Sequence, residues 1–297
     1  MGAVIAIPVY KSEMTELEEF SLSRCLAVLG KHPVVFFGPS SLNYEAYLEK
    51  APSASTCSFA DACFTSVERY SELLLSRSFY ERFLDFEYLL IHQLDAFVFH
   101  DSLDEWCARG YDYIGAPFLD DGGRWFGVGN GGFSLRKARS CLDVLSSVRP
   151  EDPARYWAMV RQTTPNPWIR ALKYYRKVAR MVGLADDVTS FRKRFIDERR
   201  PEDLFWSLHA VRFHPRFRIA PVDVALRFAI EGGLMEAQAT YLTQPPFGCH
   251  QPRFLRMIQR YLRASVTPES EYEAVVWRLA KNAGLHPNPP DKRTSGR

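Results

Sequence analysis

An α/β fold with a mostly parallel sheet is what this 297-residue sequence predicts, and three observations carry the prediction. Short apolar runs of strand length ("AVIAIPV", "VVFFG", "EYLLIH") recur in the first hundred residues. Between them lie stretches with apolar residues at helical spacing, so strand and helix alternate as in parallel strands joined by crossover helices. The strand-like runs are apolar without alternation, which suits strands covered by helices on both faces.

Ala3–Val9 reads as the first buried strand. Ser12 is placed to cap the helix that follows and Gly30 to end it. Val34–Phe37 forms a second strand closed by Gly38-Pro39. A short helix over Leu42–Lys50 and a weak strand near Cys57–Ala60 come next. Leu73, Leu74, Phe79 and Phe83 share helical spacing in one helix over Val67–Phe83. "FEYLLIHQLDAFVFHD" then gives an apolar strand, an acidic break and a second apolar stub. A helix over Leu103–Ala108, a short strand over Tyr113–Ala116 and the glycine loop of "VGNGGFSLR" follow, with a helix from about Leu135 to Ser147. The stretch Arg155–Arg200 looks helical and amphipathic in pieces. "RRPEDLFWSLH" starts another helix, with Pro201 early and two acids in the first turn. "FRIAPVDVALRFAIEGG" gives a strand and an element ending at Gly232, and "PPFGCHQP" is rigid and non-helical. Two helices complete the chain, the second capped by Thr267. The expected organisation is one domain over 1–262 with a basic helical insertion at about 151–200, a C-terminal helix at 263–285 and a disordered tail at 286–297.

Composition narrows the class. Hydrophobic residues at 46% and charged residues at 25% describe an ordinary soluble globular protein. No apolar run reaches the length of about 18 residues that a membrane span needs, and no signal peptide is visible. The six cysteines show no CxxC spacing, so reduced thiols in a cytosolic protein are expected. The net charge of +3 is uneven: Arg155–Arg200 holds 12 Lys/Arg against 4 Asp/Glu, a local +8 inside an acidic body. Such a segment offers a docking place for anions, acidic lipid or an acidic partner, or else is a solvated helical hairpin. A nucleic-acid surface is disfavoured, because the overall balance is small and no RNA or DNA module signature is present.

Five places carry chemistry-bearing residues. Strand ends at Pro8-Val9-Tyr10 and Gln93-Leu94-Asp95 lie where open α/β sheets bind ligands, beyond the carboxyl ends of the strands. Asp95 sits between two apolar strands, where a carboxylate must be paired, hydrogen-bonded or metal-bound; it is also placed to cap a turn. Gly129, Asn130, Gly131 and Gly132 form either a tight turn or a loop that a ligand approaches closely. They match neither a Walker loop nor a GxGxxG turn. Glu202 and Asp203 complement a helix dipole, and His250 is a surface histidine or a ligand.

The order of these signals resembles the glycosyltransferase A-type (GT-A) fold. That fold combines a nucleotide-binding sheet, an acidic strand-end motif, a glycine-rich loop, an acid pair and a late metal-binding histidine. Gln93-Leu94-Asp95 matches the acidic motif with its leading acid replaced by Gln. "HQLDAFVF", "YDYIGAPF", "GVGNGGFSLR", "PEDLFW" and "PFGCH" are similar to a bacterial family described only as a domain of unknown function and regarded as glycosyltransferases. The resemblance runs from about Val4 to His250. It implies a metal-assisted, inverting, cytosolic transferase that moves a sugar from a nucleotide-diphosphate sugar to a hydroxyl of a glycan or glycolipid, in cell-surface polysaccharide synthesis. Asp95 and His250 would hold Mn²⁺ or Mg²⁺, with Gln93 leaving metal dependence open. Pro8, Val9, Tyr10 and Gln93 would bind the nucleotide, and Asn130, Gly131 and Gly132 the donor sugar. Asp203 would be the general base, with Glu202 second. The Arg155–Arg200 segment would face the acceptor or an anionic membrane carrying it. The competing reading is a catalytically silent nucleotide-sugar-binding module.

Overall fold

The computed structural model describes residues 2–120, 124–147, 158, 160–162, 164–173, 188–231 and 245–250. Its central sheet contains β1 (Ala3–Pro8), β2 (Val34–Pro39), β3 (Ser55–Phe59), β4 (Tyr88–His92), β6 (Tyr113–Ile114) and β9 (Phe133–Lys137). The strand order is β3-β2-β1-β4-β9-β6. The first four are mutually parallel, and β9 runs antiparallel to both of its neighbours. Two small sheets flank it: β5 (Ala96–Val98) beside β11 (Gly248–His250) and β10 (Ala229–Glu231), and the hairpin of β7 (Pro117–Leu119) with β8 (Trp125–Val128). The expected α/β architecture with a mostly parallel sheet is the one found.

Every residue of β1, β2 and β4 is buried, so successive side chains supply two cores rather than one core and one wet face. Ile5 and Ile7 pack with Leu22, Cys25 and Leu29 of α1 (Glu16–Leu29). Val4 and Ala6 pack on the other side with Leu73 and Leu74 of α3 (Val67–Leu74), following α2 (Glu45–Lys50) in the chain. The same core takes Phe79 of α4 (Arg77–Glu81) and, beyond α5 (Leu103–Ala108), Cys141 and Leu142 of α6 (Ala138–Leu145). It is closed by Phe195 of α7 (Val188–Asp197), Phe205 and Trp206 of α8 (Glu202–Leu208), and Phe213 of α9 (Ala210–Phe213). Ala225 and Phe228 of α10 (Val222–Phe228) return to the first core.

The structure corrects several sequence expectations. Thr15, not Ser12, caps α1, in a capping box with Glu18, and Gly30 ends that helix in an ordinary right-handed conformation. The helix expected over Val67–Phe83 divides in two, because Ser76 turns its hydroxyl to the Phe79 N–H (3.2 Å) and starts α4. The segment from Leu135 is not the start of a helix: Phe133–Lys137 is a strand, and the helix begins only at Ala138. The β7–β8 hairpin was not expected, and "GCH" forms a strand. All six cysteines are free thiols. Among the described residues no helix is long and apolar enough to cross a membrane. The element end at Gly232, the 263–285 helix, the 286–297 tail and much of the basic insertion lie outside the described residues.

Candidate active site

Strand polarity gathers the candidate residues at one edge. Ala6 pairs with Ile91, so Pro8 and Gln93, each two residues further on, end level at the carboxyl edge of β1 and β4. Because β9 is antiparallel to β4, its amino end reaches that same edge, and the Gln93 N–H donates to the Gly132 carbonyl at 2.8 Å. Pro8 and Val9 are buried there, while Tyr10 stands 62% exposed. Of the first strand end, therefore, only Tyr10 offers a free side chain.

The small sheet built on β11 fixes His250. Its register sets His250 opposite Glu231 on β10 and Ala96 on β5, the residue after Asp95. His250 Nε2 lies 3.1 Å from Asp95 Oδ1 and 3.1 Å from Gln93 Oε1, and Nδ1 lies 3.3 Å from Glu231 Oε1. Burial lowers the pKa of this imidazole, but the hydrogen bonds and charges of Asp95 and Glu231 outweigh it and raise it to about 9. Burial in turn raises that of Asp95, and the hydrogen bond and charge of His250 hold it below the usual carboxylate value.

The acid pair starts α8 behind Pro201, and its two members have different surroundings. Glu202 is 3% exposed and takes a bidentate pair from Arg136, with Nη2–Oε1 at 2.7 Å and Nη1–Oε2 at 3.1 Å. Arg136 itself is fully buried on β9 and also donates to Tyr80 Oη at 3.1 Å. Asp203 faces the glycine loop instead. Its Oδ2 accepts from the Asn130 and Gly131 N–H groups at 3.1 and 3.2 Å, and Oδ1 accepts from the Leu204 N–H at 2.8 Å. Burial, then the negative charges of Glu202 and Glu231, push its pKa up to about 7 against the pull of those N–H donors.

The glycine loop lies between these two clusters and is small because the protein crowds it. A Cβ on Gly131 would collide with Glu202 Oε1, one on Gly132 with the His250 ring, and one on Gly129 with the Phe118 ring. None of the three has a positive φ; the left-handed position is taken by Asn130, at φ 70°. Asn130 is 1% exposed, and its Oδ1 accepts from the Gly132 and Phe133 N–H groups at 2.9 and 3.3 Å. Internal groups alone suffice to require the small residues, and Asn130 closes the loop on itself.

The structure thus brings together Gln93, Asp95, His250, the glycine loop and Asp203. It also adds Arg136 and Glu231, which sequence reasoning missed. Glu231 carried one usable signal, since "AIE" and "GCH" are both short apolar stubs ending in a polar residue.

The donor set suits a divalent cation. Oxygen atoms of Asp95 and Gln93 and one imidazole nitrogen face one another, a set acceptable to Mn²⁺ and, less readily, Mg²⁺. Neighbouring ligands on an octahedral cation with bonds of about 2.1 Å lie about 3 Å apart, close to the spacing of His250 Nε2 from both oxygens. Glu231, on the far nitrogen, would orient the ring as a carboxylate partner does for many metal-bound histidines. Among the described residues no group of three or more His, Cys, Asp or Glu is arranged to hold a metal ion, so a bound diphosphate would have to complete the shell.

Comparison with known proteins gives a family and a set of remote structural likenesses. A family model described as "Protein of unknown function (DUF5672)" matches residues 53–250. No curated protein sequence matches. Among solved structures, the chain is similar to glycosyltransferase GlyE of Streptococcus pneumoniae TIGR4 at 10% identity and a TM-score of 0.44, covering 98% of this chain and 66% of that one. Mouse xyloside xylosyltransferase 1 is similar at 11% identity and a TM-score of 0.45, with 85% and 98% covered. Core-mannan synthase A of Aspergillus fumigatus, in its Mn/GDP form, is similar at 14% identity and a TM-score of 0.31. The match spans less than half of that synthase, 43%.

Proposed function

The chain belongs to the DUF5672 family, and from that premise and the geometry of its site we propose that it is a GT-A-like nucleotide-sugar glycosyltransferase. The reaction moves the sugar of a nucleotide-diphosphate donor to a hydroxyl of a glycan or glycolipid acceptor, with inversion. One observation carries the reading. The glycine loop joins a cation-type donor set (Gln93, Asp95, His250) to a carboxylate with a pKa near neutrality (Asp203) at the carboxyl edge of the parallel strands.

Each residue then has a task set by its surroundings. Tyr10, exposed at the end of β1, offers a ring face to the nucleotide base. Asp95 and His250, with Gln93, would hold Mn²⁺ or Mg²⁺, and a cation there supplies positive charge against the leaving diphosphate. Gly131, the only partly exposed glycine of the loop, presents backbone to the donor sugar. The Asn130 Nδ2 atom is buried without a protein partner, so it would meet a sugar hydroxyl only on a shift of the loop. Asp203 uses three of roughly four carboxylate acceptor positions on backbone N–H groups, which leaves one for the acceptor hydroxyl. A pKa of about 7 suits it to receive that proton at neutral pH. Glu202 is withdrawn from this role because Arg136 occupies both of its oxygens.

The same three hydrogen bonds favour a second reading, in which Asp203 only clamps the loop of a silent nucleotide-sugar-binding module. Asp203→Asn separates the two. A base predicts loss of transfer, by at least ~100-fold, with donor affinity kept. A silent module predicts no transfer by the parent either, and an Asn variant that changes only loop order and donor binding.

A further inference from the structure

Five large hydrophobic residues stand exposed among the described residues, and three of them fall within five positions: Trp168 at 83%, Ile169 at 47% and Leu172 at 50%. They lie in a helical run, 167–173, whose start is secured by Asn166. The Asn166 Oδ1 accepts from the Trp168 N–H at 2.9 Å, and its carbonyl accepts from the Arg170 N–H at 3.1 Å. Residues i, i+1 and i+4 share one helix face, so the three side chains form a single apolar strip. Val160 and Thr164 before the run are buried, the Thr164 N–H donates to the Val160 carbonyl at 3.0 Å, and Lys173 Nζ donates to Thr164 Oγ1 at 2.8 Å.

The surrounding charge decides what covers the strip. Residues 155–180 contain seven Lys/Arg and not one Asp or Glu. A second copy meeting the strip through a two-fold contact would set Arg170 and Lys173 against their own duplicates. An anionic bilayer takes both features at once: rings and aliphatic chains enter the headgroup boundary while cations stay among the phosphates. Trp is suited to that boundary, with an apolar body and one polar N–H. Lys173 also lies within electrostatic reach of Arg200 and Glu198, which lead directly into Pro201 and the acid pair.

We propose that the Trp168–Ile169–Leu172 strip, with Arg170 and Lys173, docks this protein on the surface of an anionic phospholipid bilayer. The inference extends the transferase reading by naming where the acceptor would be met. It rests on that reading only for this consequence, because lipid binding is measured without donor or transfer.

Flotation of the full chain with two kinds of vesicle tests it: phosphatidylcholine alone, and phosphatidylcholine mixed with phosphatidylglycerol. Binding is expected to the anionic vesicles only, and to weaken as salt is raised past physiological strength. Arg170→Gln with Lys173→Gln should lower the affinity roughly fivefold for each cation removed. Trp168→Ser with Leu172→Ser should lower it by about tenfold or more, because the inserted apolar area is lost. Both double variants change surface residues, and an unchanged unfolding midpoint establishes that they fold. Three results would overturn the proposal: no binding of the parent to anionic vesicles, equal binding by the Trp168–Leu172 variant, or concentration-dependent self-association abolished by that variant in place of lipid binding. Loss of nucleotide binding in the parent would count against the transferase reading and leave the vesicle result standing.

Discussion

Replacing Asp203 by Asn separates charge from shape at the centre of the site. The amide oxygen still accepts from the Asn130 and Gly131 N–H groups, now held at 3.1 and 3.2 Å. The amide nitrogen replaces the oxygen that accepts from the Leu204 N–H, so one hydrogen bond is lost, at about 1 kcal/mol. Against this stands the cost of the buried charge. The folded-state pKa of about 7 lies above the ordinary 3.8, so the folded protein retains a proton that the unfolded chain has released. The contribution of Asp203 to stability is then greatest below pH 4, falls between pH 4 and 7, and levels off above 7, a total of about 4 kcal/mol. Asp203→Asn removes that fall. Denaturant unfolding of parent and variant should therefore show the gap between them shifting in the variant's favour by about 3 kcal/mol from pH 5 to pH 8. Transfer should drop at least ~100-fold at pH 8, where Asp203 is ionised, and the gap should narrow toward pH 5, where the parent's carboxyl is itself protonated. A stability gap that ignores pH would refute the raised pKa, and turnover within a few-fold of the parent would refute the base.

Other substitutions test the supporting structure. Gly131→Val drives a side chain into Glu202 Oε1 and should lower the unfolding midpoint rather than merely block donor binding; an unchanged midpoint with lost binding would restore the ligand-facing explanation of the glycine. Arg136→Met strands Glu202 as a buried unpaired carboxylate and should cost about 3–5 kcal/mol, read by denaturant unfolding; a loss below about 1 kcal/mol would show the pair to be incidental. His250 has its pKa raised to about 9 from 6.5, so in metal-free protein its stabilisation is complete below pH 6.5 and is lost as pH rises through 9. Glu231→Gln should shrink that alkaline loss, and an identical pH–stability curve would remove Glu231 from the histidine's partners.

The legible part of the fold was the part governed by local pattern. Runs such as Leu89-Leu90-Ile91 announce strands buried on both faces, and their polarity already places Gln93 and Asp95 at a ligand-binding edge. β9 escaped because Ser134 and Arg136 make "FSLRK" look half-solvated, although both are fully buried. What permits that burial is Glu202, 66 positions away, and no window of sequence contains both. The glycine loop was legible only in part, for a related reason. Its position was readable, but the groups that crowd it come from Glu202 and His250, which only the folded chain brings near. Asp95 and His250 were recognisable through the order of motifs, whereas Glu231 depends on the pairing of two three-residue strands.

If this carboxyl edge is the donor site, it binds a nucleoside diphosphate with a cation through Asp95 and His250. Thermal unfolding with UDP, GDP and dTDP, each with and without Mn²⁺, tests it directly in the parent and in Asp95→Asn. A ligand present at about 100 times its Kd stabilises by about 2.7 kcal/mol, well within detection. At least one diphosphate should raise the midpoint, Mn²⁺ should enlarge the rise, and Asp95→Asn should remove the Mn²⁺-dependent part. No shift with any of the three, or an Mn²⁺-dependent shift that survives Asp95→Asn intact, would contradict it.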